Sequence, residues 1–312
     1  MKAPDGNKLA ILNALNKGGF VSGQALGEEL GISRAAVSKH IQSLQAMGLD
    51  VFKVTGKGYC LNNQVGLLNQ EKIQQLYAEL GQNTANIEVQ PLIDSTNSEL
   101  MRRIQAKTPL QSGTVIVAEM QQAGRGRRGR VWQSPFGANL YYSYFWRLDD
   151  GLQAAMGVSI AVGLAVYDAI KALYGIDVEL KWPNDIYINK QKLAGVLVEL
   201  DGQPQGPCQL VIGIGINLNM PQSASQHIDQ AWTDLSQHTQ QLDKNQLVAS
   251  LTYWLEQRLA QYRENGLQTM YQQWNALNAF AGEQVELNTG HRSWRGICEG
   301  IDAHGGVRIR QD

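Results

Sequence analysis

Cysteine is scarce in this 312-residue chain: Cys60, Cys208 and Cys298 are the only three, far apart and without a Cys-x-x-Cys pair. That excludes a disulfide framework and most structural zinc sites, and a reducing cytoplasm is the expected setting. Net charge is also lacking, since 27 Lys and Arg face 28 Asp and Glu for a balance of −1. A uniform basic coat for nucleic acid is excluded, so any such claim must rest on local charge. The five histidines, His40, His227, His238, His291 and His304, show no i, i+4 pairing with acids of the kind that marks a metal site. No Gly-x-Ser-x-Gly elbow supports hydrolase chemistry. Long apolar runs are missing too. The most apolar stretch, Leu152 to Tyr167, is uncharged but holds Gln153, Ser159, Gly157 and Gly163, which suits a buried helix rather than a membrane span. The start, Met1-Lys2-Ala3-Pro4-Asp5, has no apolar signal core, so secretion is not expected. The length allows about two domains and tolerates three.

What is present begins with a basic segment. Residues 1–63 carry seven Lys or Arg against four acids, a local +3. Leu9, Ala10, Leu12 and Ala14 recur at helical spacing before Lys17-Gly18-Gly19 stops the run. Ser22 opens a second helix that ends at Leu30-Gly31, and Ser33 caps a third on which Val37, Ile41 and Leu44 share a face until Gly48. Two helices across a tight glycine turn form a helix-turn-helix. The alternating stretch Val51–Tyr59 then reads as a hairpin, and a basic hairpin beside a recognition helix is a wing. Ser33, Arg34, Ser38, Lys39 and Gln42 on the helix, with Thr55 and Lys57 on the wing, are the expected DNA contacts. The bland alternative is a small packing domain with an ordinary solvated face. Asn62-Asn63-Gln64 is the candidate linker.

Further along, the strand Thr114–Ala118 runs into Gln121-Gln122-Ala123-Gly124-Arg125-Gly126-Arg127-Arg128-Gly129-Arg130. Gly124, Gly126 and Gly129 spell a dinucleotide fingerprint, but Trp132, Pro135 and Gly137 follow without the helical period that motif needs, and no Lys-Ser/Thr supplies a phosphate-binding P-loop. Four arginines in six residues with no acid predict a self-repelling loop that an adenylate or polyphosphate would order. A solvated basic loop without a task is the alternative. Residues 179–188 read as two short strands around Pro183-Asn184-Asp185, and Lys192 begins an apolar strand from which its ammonium could enter a pocket. A lysine there is also commonly just solvated. The strand at 209–217 contains Gly213 and Gly215, which permit close ligand approach or mere packing.

Ser95-Thr96-Asn97, the Gln121–Gly129 run, Lys181-Trp182-Pro183-Asn184-Asp185 and Lys192-Leu193-Ala194-Gly195 occur together and in this order. In that combination the chain resembles the bacterial bifunctional biotin–protein ligases that also repress the biotin operon, over nearly its whole length. The resemblance implies an α+β chain in three parts. These are a winged helix-turn-helix over 1–63, a biotin- and ATP-binding domain over 64–274 with a mixed sheet similar to class II aminoacyl-tRNA synthetases, and an SH3-like β-domain over 275–312. Because the chain stops at Asp312, earlier than the family pattern, that last domain is expected to lack one or more closing strands.

The resemblance also implies the chemistry. Biotin and ATP with Mg2+ form biotinyl-5′-AMP, and an acceptor lysine on the biotin carboxyl carrier domain of acetyl-CoA carboxylase then takes the biotin. Ser95, Thr96, Asn97, Gln121, Arg125, Gly126, Arg127, Lys192, Gly213 and Gly215 would bind biotin. Arg127, Arg128, Arg130, Trp132, Lys181, Asn184, Lys192 and Asn217 would bind the nucleotide. Lys192, Arg125, Arg127 and Asp185 would carry catalysis, with Asp185 facing Mg2+. As corepressor, biotinyl-5′-AMP would favour a homodimer on the biotin operator. A ligand-gated regulator without ligase activity and a lipoate-type ligase are the competing readings. The retained arginine loop and both lysines count against the first, and the Gly-Arg-Gly-Arg-Arg-Gly loop against the second.

Overall fold

A computed structural model describes residues 6–62, 66–82, 85–149, 151, 155–202, 206–221, 228–290 and 292–311. The chain start Met1–Asp5, the linker residues Asn63 and Gln64, residues 152–154 of the apolar stretch, His227, His291 and Asp312 lie outside them.

Three short helices open the chain: α1 (Gly6–Asn16), α2 (Gly23–Leu30) and α3 (Arg34–Ala46). Ser22 and Ser33 cap α2 and α3 as expected, accepting from the Ala25 and Ala36 backbone N–H at 3.0 and 3.1 Å. Gly31 ends α2 at φ 64°, a left-handed conformation that glycine adopts without penalty. The buried face of α1 is Ile11, Leu12 and Leu15, so of the expected apolar set only Leu12 is fully inside. An antiparallel hairpin, β1 (Val51–Val54) and β2 (Gly58–Leu61), follows as the wing. Asn62 is no linker residue: its backbone and side-chain N–H groups donate to Asp50, closing the wing.

The central body is a seven-stranded mixed sheet. Its strands are β3 (Ile87–Gln90), β4 (Val115–Ala118), β5 (Asn139–Leu148), β6 (Glu179–Lys181), β7 (Asp185–Ile188), β8 (Gln191–Gly202) and β9 (Cys208–Asn217). The order is β3-β4-β5-β9-β8-β7-β6, parallel between β3 and β4 and antiparallel elsewhere. Helices α4 (Gln70–Glu79), α6 (Val158–Tyr174) and α7 (Lys244–Asn265) cover one face over the main core, which includes Val115, Tyr142, Ile212 and Leu251. Helix α5 (Thr96–Gln105) covers part of the other, packing Leu100 and Ile104 on Ile116, Phe145 and Val211. Strand alternation assigns the faces. Ser143 on β5 and Gly213 and Gly215 on β9 therefore share the side of α5.

Within the described part of the apolar stretch, a turn at 155–157 with Gly157 at φ 92° precedes α6, which starts at Val158. Among the described residues no helix is long and apolar enough to cross a membrane. Helix α8 (Tyr271–Ala276) leads to an antiparallel sheet of β10 (Gln284–Asn288), β11 (Ser293–Ile301) and β12 (Val307–Arg310). Trp182 Nε1 donates to Gly305 O at 3.0 Å and ties that sheet to the turn between β6 and β7.

The winged helix meets the central body at Phe136, with Met120 packed on the same core. Phe136 is 2% exposed within the winged helix core, and its N–H donates to Met47 O at 3.0 Å. The segment after the linker is held by side chains: Glu119 accepts from Leu68 N, and Asn245 accepts from Asn69 N while donating to Leu67 O.

Candidate active site

Strand register hollows the sheet where α5 leaves it uncovered. Gly195, Gly215 and Tyr141 lie side by side across β8, β9 and β5, and the next rung is Leu197, Gly213 and Ser143. The glycines leave room that neighbouring side chains use. A Cβ on Gly215 would lie 2.6 Å from Trp132 Cε2, and one on Gly213 would lie 2.9 Å from Asn97 Cγ. The result is a cavity of about 480 Å³. It brings together Ser95, Thr96, Asn97, Gln121, Arg125, Gly126, Arg127, Arg128, Arg130, Trp132, Lys181, Asn184, Asp185, Lys192, Gly213 and Gly215. Asn217 is placed elsewhere. It lines an adjoining hollow of about 260 Å³, and its amide donates to Thr233 O at 3.0 Å.

The floor of the cavity is neutral and polar. Ser95 caps α5, and Ser95, Thr96 and Asn97 are all buried. The N–H of Thr96 donates to Gln121 Oε1 at 2.8 Å, Ser143 Oγ donates to Asn97 Oδ1 at 2.5 Å, and Asn97 Nδ2 donates to Glu199 Oε2 at 2.8 Å. Before the cap, Asp94 accepts from Ser95 N, and the Arg102 fork holds its carboxyl below the usual carboxylate range.

Cations line the roof and one end. Lys192 Nζ stands 2.8 Å from Asp185 Oδ1 with both side chains largely buried, and 5.6 Å from the Trp132 ring centroid. Lys181 Nζ donates to Tyr187 OH at 3.1 Å and lies over the Tyr187 and Phe280 rings.

The loop differs from the self-repelling segment expected. Gly124 and Trp132 pair through backbone at 3.0 Å, Gly126 and Arg130 at 2.8 Å, and a single 3-10 turn, Arg127–Gly129, forms the tip. No helix starts there, so the dinucleotide fingerprint is not built. Arg125 pairs with Glu199 at 3.0 Å, Arg127 donates to Asn184 Oδ1 at 2.9 Å, and Arg128 donates to Asn288 O at 3.3 Å. Glu199 neutralises Arg125, while Arg127 and Arg128 meet neutral acceptors and keep their charge. Tyr141 OH donates to Pro135 O at 2.7 Å beyond the loop, and burial pushes that phenol far above its usual range, keeping it a donor.

Glu199, Ser143 and Tyr141 were not among the sequence-derived site residues. Only register exposes them, since an acid, a serine and a tyrosine within apolar strands carry no motif. On the winged helix, Arg34, Lys39, Gln42, Thr55 and Lys57 are exposed and Ser38 is half-buried, whereas the Ser33 hydroxyl is occupied as a cap. Phe20 and Phe52, which motif reading passed over, form an exposed edge-to-face pair beneath Lys57. For magnesium, no group of three or more His, Cys, Asp or Glu among the described residues could hold a metal ion. The single Asp185 suits an ion that arrives on phosphates, because Mg2+ commonly takes one or two carboxylates and completes its shell with phosphate and water.

A winged helix joined to a cavity with a neutral polar floor and a cationic end defines a DNA-binding protein with a ligase-type pocket. The Biotin/lipoate A/B protein ligase family matches over residues 89–217, and an HTH domain over residues 7–60. The chain is 44% identical over 97% of its length to "Bifunctional ligase/repressor BirA" of Salmonella typhimurium, covering 92% of that protein. It is 33% identical over 92% of its length to the protein of the same name from Bacillus subtilis, covering 88% of that one. Among solved structures, the biotin protein ligase of Aquifex aeolicus in complex with biotin and ATP aligns at TM-score 0.61 and 27% identity, over 72% of this chain and 91% of that one. The chain belongs to the bifunctional biotin ligase/repressor family, and it is a biotin–protein ligase bearing a DNA-binding domain.

Proposed function

We propose that this protein activates biotin as biotinyl-5′-AMP, transfers it to a lysine of a biotin carboxyl carrier domain, and with the adenylate bound dimerises on the biotin operator. The placement of Lys192 carries the reading. Lys192 lines both the large cavity, whose floor is neutral, and the adjoining hollow beside Trp132 and Asn217. Lys192, with Arg130 also lining both hollows, thus stands where the carboxylate end of a neutral ring system and a nucleotide phosphate would meet.

In the first step a carboxylate oxygen of biotin bonds to the α-phosphorus as the bond to the β-phosphate oxygen breaks and pyrophosphate leaves. In the second, the acceptor amine bonds to the acyl carbon, loses a proton, and AMP departs. Two anions must approach in the first step. Lys192 and Arg127 would screen them in a partly enclosed site where preorganised charge acts strongly. Ser95, Thr96, Asn97 and Gln121 would hold the neutral ring by hydrogen bonds above Gly213, and Gly126 would let the loop backbone lie close over it. Trp132, Arg128, Arg130, Lys181, Asn184 and Asn217 would surround the nucleotide. Asp185 would hold a magnesium ion brought by the triphosphate, which when bound neutralises phosphate charge. Since Lys192 and Asp185 rest as a pair, ligand entry would exchange that contact for phosphate and metal.

Purified protein with biotin, MgATP and an acceptor domain should release pyrophosphate and raise the acceptor mass by one biotinyl group; neither signal would sink the ligase reading. Sedimentation and operator binding with and without biotin plus ATP test the rest, where binding indifferent to ligand would overturn the corepressor role. Two substitutions refine the pocket. Gly213→Ala would push a methyl onto Asn97, which three hydrogen bonds hold in place, so biotin affinity should fall by about tenfold or more. Calorimetry with biotin alone reads it. Arg127→Gly removes the contact to Asn184 and should let adenylate escape, seen as biotin on bystander lysines.

A further inference from the structure

Glu199 sits on β8 beyond Leu197 of the cavity wall, and the chemistry above does not employ it. Its carboxylate reaches two parts of the site from behind. Arg125 Nη2 donates to Oε1 at 3.0 Å and Oε2 at 3.2 Å, and Asn97 Nδ2 donates to Oε2 at 2.8 Å. A carboxylate accepts and cannot donate. Asn97 must therefore turn its NH2 toward Glu199, where Leu197 O, 3.3 Å away, also accepts from it.

The carbonyl of Asn97 then faces Ser143, whose hydroxyl donates to it at 2.5 Å. Ser143 has one proton, so the 2.7 Å contact between Ser143 Oγ and Thr96 Oγ1 takes its proton from Thr96. Gln121 Oε1, 3.1 Å from Thr96 Oγ1, is the competing acceptor for that proton, but it lies farther away than Ser143 and already accepts from the Thr96 backbone N–H at 2.8 Å. Donation runs one way, from Thr96 through Ser143 and Asn97 to Glu199. Reversing Asn97 would set its oxygen against the carboxylate and its NH2 against a hydroxyl proton. One acid outside the cavity thereby sets which atoms of the floor donate and which accept.

We propose that Glu199 is a positioning residue that fixes the orientation of Asn97, and with it the hydrogen-bond pattern offered to the neutral ring, while holding Arg125 at the edge of the floor. The first half rests on the biotin reading of the cavity; the Arg125 half does not. The two halves separate chemically. A glutamine at 199 can still accept from Asn97 through its carbonyl, but it carries no charge for Arg125.

The test uses the full chain and the variants Glu199→Ala and Glu199→Gln, each first checked for a wild-type unfolding midpoint. Biotin alone, titrated calorimetrically, should bind Glu199→Ala about tenfold more weakly, the scale of one lost or reversed hydrogen bond, with the KM for ATP nearly unchanged. Glu199→Gln should recover most of the biotin affinity. Ligand-free limited trypsin digestion should cut after Arg125 faster in both variants, since the guanidinium is released to solvent and protease. Wild-type biotin affinity in Glu199→Ala would overturn the orientation half, and wild-type cleavage in both variants the Arg125 half. Equal losses for biotin and ATP would signal general damage and also overturn the orientation half. Wild-type protein that binds no biotin would overturn the biotin reading instead, leaving digestion to decide the Arg125 contact. Should Glu199→Ala not fold, Glu199→Gln carries both arms: normal biotin affinity with faster cleavage supports the assignment, and loss of biotin affinity overturns it.

Discussion

Replacing Lys192 by alanine should lower adenylate formation by about 10²–10³-fold, the cost typical of removing one preorganised charge from a developing anion. Pyrophosphate release in a single turnover reads this directly. The fold should survive, because Asp185, though largely buried, lines the open cavity, where solvent can hydrate the carboxylate left behind. Substitution at Asp185 provides the contrast. Asp185→Asn keeps a side-chain acceptor for Lys192 but loses the charge suited to magnesium, so its defect should shrink as magnesium is raised, whereas that of Lys192→Ala should not. Unchanged pyrophosphate release in Lys192→Ala would remove the residue from the chemistry altogether.

The largest stability loss is expected at Glu119. Its carboxylate accepts from Lys244 Nζ at 2.5 Å with the two side chains only 5% and 4% exposed, and from Leu68 N, also at 2.5 Å. Glu119→Ala would strand a buried ammonium, which costs about 3–5 kcal/mol. Denaturant unfolding measures it. Replacing both partners with apolar residues, Glu119→Leu with Lys244→Met, should recover part of the loss. It would still leave Leu68 N without its acceptor, at about 1–3 kcal/mol if water does not reach it. Full recovery would show that the pair stabilises nothing beyond its own burial. Glu119 adjoins Met120 and Gln121 at the end of β4, and its backbone O accepts from Gly137 N beside Phe136. Partial unfolding should therefore reach the loop and the winged helix contact together.

The winged helix was readable because its determinants are local. Ser22 and Ser33 cap the helices next to them, Gly31 turns the chain where it stands, and the hairpin closes within a few residues. The candidate linker took in one residue too many, since Asn62 finds Asp50 across the wing and adjacency in the chain does not reveal that. Composition marks residues 152–167 as one apolar run, whereas the described backbone turns at 155–157, with Gly157 at φ 92°, before α6 begins.

The site was legible as motifs and opaque as geometry. The sequence by itself determined a basic amino-terminal reader, an arginine-glycine loop and two placed lysines, because types of residue in fixed order are what a chain carries before it folds; the three-part α+β organisation came only with the family resemblance those motifs carry. Tertiary structure alone decided that Arg125, Arg127 and Arg128 find partners, that Asn217 lies in the adjoining hollow, and that Ser143 and Glu199 belong to the site. Arg125 and Glu199 are 74 residues apart in the chain, and only the register of β5, β9 and β8 brings such partners within 3 Å. Hydrogen bonds and ion pairs act over a few ångströms of space, and distance along the chain does not report it.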